Sequence, residues 1–482
     1  MRMKKLGIAA TIGMLAFSAA ACSGGSGNNG NNGNNGGNGG SGNPPATEAA
    51  GNKEPAGGNE AKPQESGKKV KLSYWTGDRH DQDYITEVVK SFNASSADNI
   101  EIELVVKTDD FNQAIDLAYA SGQAPDLIRV KENTIQAWAK KGYLEPIDGY
   151  LSDELKQKFP AIPDFNQIDG KLYSLPNYGS TLRLVYNKDL FAKAGVAAPP
   201  KTLDEMVETA KKLTEAGKAE GAYGFAQNFK STQSALFRSA RVIAEANGHG
   251  GLGYDFKTAR YDWSSYKPIV EAFKKMVDDG STMPGMESLD IDPLRAQFAE
   301  GKIGMYISFS SEPGVYQNQF PAKIDWAAAP VPTTDGQVHG KTSLLGGQWL
   351  AISAESKNKE AAWKFMQYMY GDDILKAYQE KGFGLSMVPH IASSAGKPAI
   401  NGIEGFMPTE NDGTWPLEPT SALKLEGIMA PDAFFKYMLS GGDLDAIVDD
   451  LNARYNAALD KAIAAGEVKA EPDPAFDPMK LK

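Results

Sequence analysis

The stretch that most constrains the fold lies at residues 169–191. It opens with Asp-Gly-Lys-Leu-Tyr-Ser-Leu-Pro, continues through seven residues that include a glycine and an arginine, and closes with Leu-Val-Tyr-Asn-Lys-Asp-Leu-Phe. Asp169-Gly170 is a turn dipeptide, and the alternation after it predicts a short strand that Pro176 ends. Residues 182–186 alternate as a second strand, and a helix is predicted from Lys188. Two short strands joined by a polar segment suit a chain that leaves one lobe and enters another, so this stretch predicts a hinge crossing.

The two halves of this stretch are followed by Ala194-Gly195 and by Pro199-Pro200-Lys201-Thr202. In this order and at this separation they resemble the solute-binding proteins of ABC transporters, in the sugar-binding group that includes the maltose-binding protein. Further stretches with the same likeness extend the resemblance over most of residues 68–465; they lie at residues 298–305, 326–332, 346–353, 357–365 and 384–389.

The resemblance implies an α/β, two-lobe, periplasmic-binding-protein-like fold, in which each lobe is a sheet flanked by helices and a multi-crossing hinge joins the lobes. It implies that lobe 1 comprises residues 68–178 and 331–384, and that lobe 2 comprises residues 183–330 and 390–482. The hinge is expected near residues 177–183, 330–332 and 384–389. The implied function is capture of an extracellular carbohydrate by hinge closure and its delivery to membrane permease subunits, with no catalysis and no cofactor.

Composition agrees with two domains and excludes several functions. The chain has 482 residues, of which 41% are hydrophobic, which is enough for two ordinary cores. A formal charge of -11 argues against a nucleic-acid partner, since counterion release needs clustered Lys and Arg. A single cysteine excludes a disulfide framework, and the four histidines lie too far apart for a short metal-ligand motif.

The N-terminus predicts export and anchoring. Residues 1–21 have a basic start and an apolar run that is too short to span a bilayer, so they indicate a signal peptide. Small residues directly before Cys22 resemble a bacterial lipoprotein processing site, and a plain secretory peptide is the alternative. Residues 22–67 are low in complexity and have almost nothing to bury, so they are expected to form a disordered tether. The protein is therefore expected to be lipid-anchored on the extracellular face of the cell membrane. The cell is expected to be a Gram-positive bacterium, and the protein is expected to be a monomer.

The first part of the folded chain alternates strand and helix. Strands are predicted at residues 70–74, 100–106 and 125–130, with helices after each of them. This alternation is typical of a parallel sheet wrapped by helices, and ligands of such sheets sit at the carboxyl ends of the strands. The loops at residues 75–83, 107–110 and 131–133 are therefore predicted to share one rim.

A carbohydrate pocket needs flat aromatic side chains for the C–H faces of the sugar and planar polar groups for its hydroxyls. Trp75, Trp349 and Trp415 lie in loop contexts, whereas Trp138 and Trp363 lie on predicted helical faces and suit the core. Packing is an alternative role for each of the first three. The polar and glycine candidates follow predicted strands or lie in the hinge; they are Asp78, Arg79, Asp81, Asp110, Glu132, Asn133, Tyr178, Arg183, Gln227, Asn228, Glu312 and Gly347.

Other chemistries fit less well. Residues 248–253 satisfy the dinucleotide fingerprint by letter, but they follow a helical pattern and open no helix. Asp290 and Asp292 suggest a calcium loop, although Pro293 follows and the later ligands are missing. Paired acids would suit a glycosidase. The remaining alternatives are a surface lipoprotein that senses a glycan and reports to a membrane kinase, a surface enzyme acting on polysaccharide, and a binding protein for a non-sugar solute.

Overall fold

The computed structural model describes residues 69–107, 110–159, 165–346 and 349–481, without the side chains of Glu132, Asn133, Leu345 and Trp349. Its first part alternates strand and helix as predicted. The elements are β1 (Val70–Thr76), α1 (Gln82–Ser95), β2 (Ile100–Val106), α2 (Phe111–Ala120), β3 (Leu127–Val130), α3 (Glu132–Lys140), α4 (Asp153–Lys158), β4 (Gln167–Ile168) and β5 (Lys171–Leu172).

The middle of the chain mixes short strands with longer helices. These elements are β6 (Tyr178–Ser180), β7 (Leu182–Asn187), α5 (Lys188–Lys193), α6 (Leu203–Gly217), β8 (Tyr223–Phe225), α7 (Thr232–Arg238), α8 (Ala240–Ala246), β9 (Tyr254–Asp255), β10 (Arg260–Tyr261), α9 (Lys267–Asp278), α10 (Ile291–Ala299), β11 (Ile303–Phe309), α11 (Glu312–Asn318) and β12 (Trp326–Ala329). The remaining elements are β13 (Thr342–Ser343), β14 (Leu345–Gly346), β15 (Trp349–Ile352), α12 (Lys359–Met369), α13 (Asp372–Glu380), β16 (Leu385–Ser386), α14 (Pro389–Ser394), β17 (Asp412–Gly413), α15 (Ala430–Ser440) and α16 (Leu444–Ala464).

The first lobe is built on a four-stranded sheet with the order β15-β3-β1-β2. β1 pairs in parallel with β2 and β3, and β15 adds an antiparallel edge. Two apolar clusters cover the two faces of this sheet, because Leu127 belongs to one cluster and its neighbour Ile128 to the other. All four residues of β3 are buried, as expected for a strand covered on both faces, and they include Arg129.

The second lobe is built on a sheet with the order β12-β7-β11-β8. β11 runs parallel to β8 and antiparallel to β7, and two clusters again lie on opposite faces, with Leu184 in one and Val185 in the other. α6 begins with the predicted capping box, in which Glu205 N–H donates to Thr202 Oγ1 at 3.1 Å and Thr202 N–H donates to Glu205 Oε2 at 3.3 Å.

The hinge stretch forms the predicted turn, the second predicted strand and the predicted helix. The first predicted strand is shorter than expected, and β6 forms in the segment expected to be a polar connection. Asp169 and Gly170 both have positive φ and join β4 to β5 as a hairpin. After them, β6 lies in a small sheet with the order β14-β6-β16, and β7 continues directly into the second-lobe sheet. Three separate parts of the chain therefore meet on one three-stranded sheet where the chain passes between the lobes.

Two predicted boundaries differ from the structure. After β12 the chain stays with the second lobe, because Thr333 bonds to Lys201 and β13 pairs with β17, so the second crossing lies at β14 and not at residues 330–332. After β16 the chain stays with the first lobe, since Ile391 and Ala395 belong to a first-lobe cluster. Within the part of the chain that the structure describes, we find no helix with the length and apolarity that a membrane span requires.

The close packing of α6 on β8 gives the first prediction. A methyl group on Gly224 would lie 1.9 Å from the carbonyl oxygen of Ala210, whereas one on Gly149 would meet nothing within 4 Å. We expect Gly224→Ala to lower the free energy of unfolding by about 1–3 kcal/mol or more. The added methyl group would meet the backbone of α6, which cannot move aside as the end of a flexible side chain can. Gly149→Ala is the control and should change little. Urea denaturation measures both, and equal midpoints would contradict this packing.

Candidate functional site

The carboxyl ends of the parallel strands define one edge on each lobe. On the first lobe this edge carries the residues that follow β1, β2 and β3, together with the start of β15, which runs in the opposite direction. On the second lobe it carries the residues that follow β8 and β11 and the start of β7 next to the hinge. We call the region between these two edges the cleft. Ligands of open α/β sheets bind at such edges.

The first-lobe edge is organised around Arg129 of β3, which is buried. Its Nη1 and Nη2 donate to the two carboxylate oxygens of Asp81 at 3.0 and 2.6 Å, and Nη2 also donates to the hydroxyl of Tyr178 at 2.6 Å. Tyr378 donates to Asp81 at 2.8 Å, and its hydroxyl lies 2.9 Å from Nε2 of His80. A bidentate pair of this kind fixes the orientation of both partners.

Asp78 closes the other side of this network. Its Oδ1 lies 3.0 Å from Lys131 Nζ, and its Oδ2 lies 3.2 Å from Arg129 Nε without the alignment of a hydrogen bond. Burial alone would raise the pKa of the Asp78 carboxyl, but the two adjacent cations outweigh it and lower the pKa to about 2. Burial also lowers the pKa of His80, against the opposing charges of the two aspartates, so this imidazole is neutral at pH 7.

The second-lobe edge is organised around Glu312, which is fully buried at the start of α11. Arg295 donates to both of its carboxylate oxygens at 2.7 to 3.1 Å, and Ser308 Oγ donates at 2.6 Å. Burial would raise the pKa of Glu312, but Arg295 outweighs it and lowers the pKa. The guanidinium of Arg238 donates to Ser308 Oγ at 3.1 Å and lies 4.5 Å over the ring of Phe309.

The two edges touch each other. Arg79 on the first lobe lies 3.7 Å from Asp290 and 3.3 Å from Asp292 on the second. Gln319 of the second lobe donates to the carbonyl oxygens of Arg79 and His80 at 2.9 and 2.7 Å. α3 also contacts residues 419–422. Asp290 and Asp292, considered for calcium from the sequence, are thus partners of cations, and the described residues contain no cluster of acids, histidines or cysteines suited to a metal ion.

Trp75 and Asp110 lie on the first-lobe edge as predicted. Trp75 is half-buried at the end of β1, and Lys107 Nζ lies 4.2 Å over its ring. Asp110 is exposed at the start of α2 with a left-handed backbone. Trp138, predicted for the core, is 3% exposed. Among the described side chains of this edge, Trp75 therefore presents a partly accessible aromatic surface.

Arg183 and Trp415, predicted from the sequence as ligand-binding residues, both have partners within the protein. Arg183 is 4% exposed, donates to both carboxylate oxygens of Asp412 at 2.9 and 2.6 Å, and also donates to the carbonyl oxygen of Gly405. It therefore holds the segment before β17 on the second lobe. Trp415 packs against Phe256 and Phe476 and donates to the carbonyl oxygen of Lys341 at 2.6 Å.

Four further candidates lie near the cleft but are buried. Gln227 and Asn228 follow β8 as predicted, and their amide groups donate to Ser239 and Ser234 of their own lobe. Tyr178 and Asp81 are bound to Arg129, as described above. Together with Glu312 they support the edges from within, because their polar groups are already paired.

The structure leaves some predictions open. Glu132 and Asn133 begin α3 at the cleft edge, but their side chains are outside the described residues, as is the side chain of Trp349 at the start of β15. Gly347 and Cys22 lie outside the described residues altogether.

Sequence reasoning missed Arg129, Tyr378, Arg238, Arg295 and Gln319. A signal for Arg129 was present, since an arginine within the apolar strand Leu-Ile-Arg-Val must find a buried counter-ion. Tyr378 and Gln319 reach the edge from helices distant in sequence, and no local pattern marks them. Residues 248–253, which match the dinucleotide fingerprint by letter, form a loop after α8 and not a strand-to-helix turn.

Comparison with known proteins gives a family. A family model for bacterial extracellular solute-binding proteins matches residues 76–375. A binding protein of Brucella abortus is 31% identical over 315 residues, which cover 62% of this chain and 72% of that protein. The maltotriose-binding protein of Pyrococcus abyssi is 30% identical over 307 residues, with 62% of each chain covered.

Solved structures show the same two-lobe fold. An ABC substrate-binding protein from Listeria monocytogenes in complex with cycloalternan matches with a TM-score of 0.65 at 20% identity, covering 82% of this chain and 100% of that one. RafE in complex with raffinose, a protein of Streptococcus pneumoniae, matches with a TM-score of 0.63 at 19% identity, covering 81% and 100%. At these identities the likeness establishes the fold.

The pKa of Asp78 gives the second prediction. Because its pKa is lower in the folded protein than in the unfolded chain, the carboxylate stabilises the fold above about pH 4, and this contribution of roughly 2 kcal/mol is lost as the pH falls toward 2. The difference in free energy of unfolding between the wild type and Asp78→Asn should therefore narrow between pH 4 and pH 2 in urea titrations. Asp153→Asn, at an exposed position, is the control and should show no such narrowing. A constant difference for Asp78→Asn would contradict the assigned ion pairs.

Proposed function

Because the chain belongs to the bacterial extracellular solute-binding proteins, we propose that it captures a carbohydrate outside the cell and delivers it to the permease of an ABC transporter. The observation that carries the proposal is the pair of facing edges, which combine a half-buried tryptophan with oriented charged and hydroxyl groups. The named ligands of relatives are consistent with it, since they include maltotriose and diacetylchitobiose. We further propose that the ligand is an oligosaccharide.

The two edges would divide the work of recognition. Trp75 would stack on the apolar face of a sugar ring with the part of its indole that is exposed to solvent. One carboxylate oxygen of Asp78 accepts no hydrogen bond from the described residues. This oxygen would accept a hydrogen bond from a sugar hydroxyl that enters while the cleft is open. Arg79 and Arg238 would complete the site from opposite edges. Asp110, Glu132, Asn133, Gly347 and Trp349 remain candidates by position.

Closure would follow from bending at the three-stranded hinge sheet. An open form would bind the sugar on one lobe, and the second lobe would then add its hydrogen bonds, so ligand shifts the population toward the closed form. The contacts of Arg79 and Gln319 across the cleft are of the kind that a closed form requires. The sugar would be released unchanged, because binding and not bond cleavage is the proposed chemistry.

We propose that Cys22 carries the lipid anchor and that residues 23–67 tether the monomeric body to the outer face of a Gram-positive membrane. Two acyl chains would hold such an anchor stably, whereas one chain binds only marginally. A flexible coil of this length has a reach of roughly 35–40 Å. That reach would let the binding body meet a permease in the same membrane.

A panel of neutral and acidic oligosaccharides tests the proposed function. We expect at least one member to raise the melting temperature of the purified protein and to change its tryptophan fluorescence, because a ligand that binds only the folded state stabilises it. Micromolar affinity would correspond to about -8 kcal/mol. Absence of any response across the panel, together with stabilisation by a peptide or a metal chelate, would contradict carbohydrate capture.

Trp75 gives a sharper test of the site. With the best ligand of the panel, we expect Trp75→Leu to weaken binding about fivefold or more in calorimetric titration, since loss of an aromatic platform removes about 1 kcal/mol or more. Trp138→Leu is the matched control, because Trp138 is buried in the same apolar cluster that Trp75 touches. Its affinity should change less than twofold once the folded fraction is known from urea denaturation. The reverse order would remove Trp75 from the site.

A further inference from the structure

The charges on the second-lobe edge do not balance. Three carboxylates lie there, and each has its own cation: Lys230 lies 3.4 Å from Asp290, Arg79 lies 3.3 Å from Asp292, and Arg295 binds Glu312. Arg238 is a fourth cation. Its hydrogen bonds go to the neutral hydroxyls of Ser308 and Ser234, and no Asp or Glu among the described residues forms an ion pair with it.

The opposite edge does not supply the missing charge. There Asp78 and Asp81 face Arg129 and Lys131, so two carboxylates meet two cations at short distances. Arg238 is thus the cation in these two groups whose hydrogen bonds go only to neutral partners, although the whole chain has a formal charge of -11. A half-buried cation that is bonded only to neutral hydroxyls is an indication of an anionic ligand.

The surroundings of Arg238 agree with this interpretation. Burial lowers the pKa of its guanidinium to about 10, and the nearby charge of Arg295 lowers it further in the same direction, so the group is still charged at neutral pH. The ring of Phe309 beneath it and the hydroxyl of Ser308 beside it limit its orientation. A planar guanidinium held in this way is suited to a bidentate pair with an oxyanion.

Resting on the proposed function, we propose that the ligand is a carbohydrate with one negatively charged group, a uronate carboxylate or a sulfate ester, and that Arg238 binds this group. One carboxylate or sulfate group supplies the pair of oxygens that one guanidinium can bind. The half-buried Trp75 on the opposite edge remains available for a sugar ring that carries the charged group.

The test compares charged and uncharged sugars of the same shape. Calorimetry at low ionic strength would pair a disaccharide that carries one galacturonate with its methyl ester, a disaccharide that carries one glucuronate with the corresponding glucose disaccharide, and a monosulfated galactose disaccharide with its unsulfated form. In at least one pair we expect the charged member to bind tenfold or more tightly, because charge-assisted hydrogen bonds are the stronger ones. The pair that responds distinguishes carboxylate from sulfate. Inorganic sulfate alone should bind weakly, and equal affinity for it would overturn the carbohydrate assignment.

Two variants of Arg238 and one control variant test whether Arg238 causes the preference for the charged sugar. Arg238→Gln should bring the ratio of affinities within each pair close to one, and Arg238→Lys should restore part of it, since lysine keeps the charge but not the planar fork. Arg260→Gln is the control; it removes the same charge from an exposed arginine that pairs with Asp460, and the ratio should stay as in the wild type. Salt provides a measurement without mutation: rising NaCl should weaken only the charged member.

The outcomes separate the two proposals. Neutral sugars that bind as tightly as their charged counterparts would overturn the inference and leave carbohydrate capture standing. A charge preference that persists in Arg238→Gln would overturn the role of Arg238. A protein that binds no member of any pair, but does bind a peptide or a metal chelate, would refute both proposals.

Discussion

The structure depends most on the hydrogen bonds and ion pairs that the buried guanidinium of Arg129 forms. It joins strand β3 to Asp81 at the start of α1 and to Tyr178 in the hinge strand β6. Tyr378 of α13 completes the network, just before the chain crosses the hinge again. Removing one partner of a buried ion pair leaves an uncompensated charge, which costs about 3–5 kcal/mol. The same network therefore stabilises the first lobe, fixes one edge of the cleft and attaches the hinge sheet to a rigid support.

Much of the fold was predictable, because local patterns in this sequence agree with its tertiary structure. The alternation of strands and helices in residues 70–143 and the capping box of Thr202 depend only on neighbouring residues. The turn at Asp169-Gly170 formed as predicted for the same reason. The second hinge crossing was placed too early, since a short strand such as β12 looks the same in sequence whichever sheet it joins. Its pairing with β7 is set by contacts distant in sequence.

The site was only partly predictable from the sequence. Position after a strand correctly brought Trp75, Asp78 and Arg79 to the cleft, because the carboxyl ends of parallel strands share one edge. Composition could not show which polar side chains have free groups. Arg183 and Glu312 are as polar as Arg238, yet their partners Asp412 and Arg295 occupy them. Whether a charge is satisfied depends on pairs far apart in sequence, so the unpaired cation emerged only from the three-dimensional arrangement.

The contacts of Arg79 with Asp290 and Asp292 have a physiological consequence. All three side chains are partly exposed, and exposed ion pairs contribute only about 0–1 kcal/mol each. Their attraction falls as dissolved ions screen it. The proportion of ligand-free molecules with a closed cleft would therefore depend on the salt concentration of the surrounding medium. At low salt more of these molecules would be closed, and at high salt more of them would be open to a ligand.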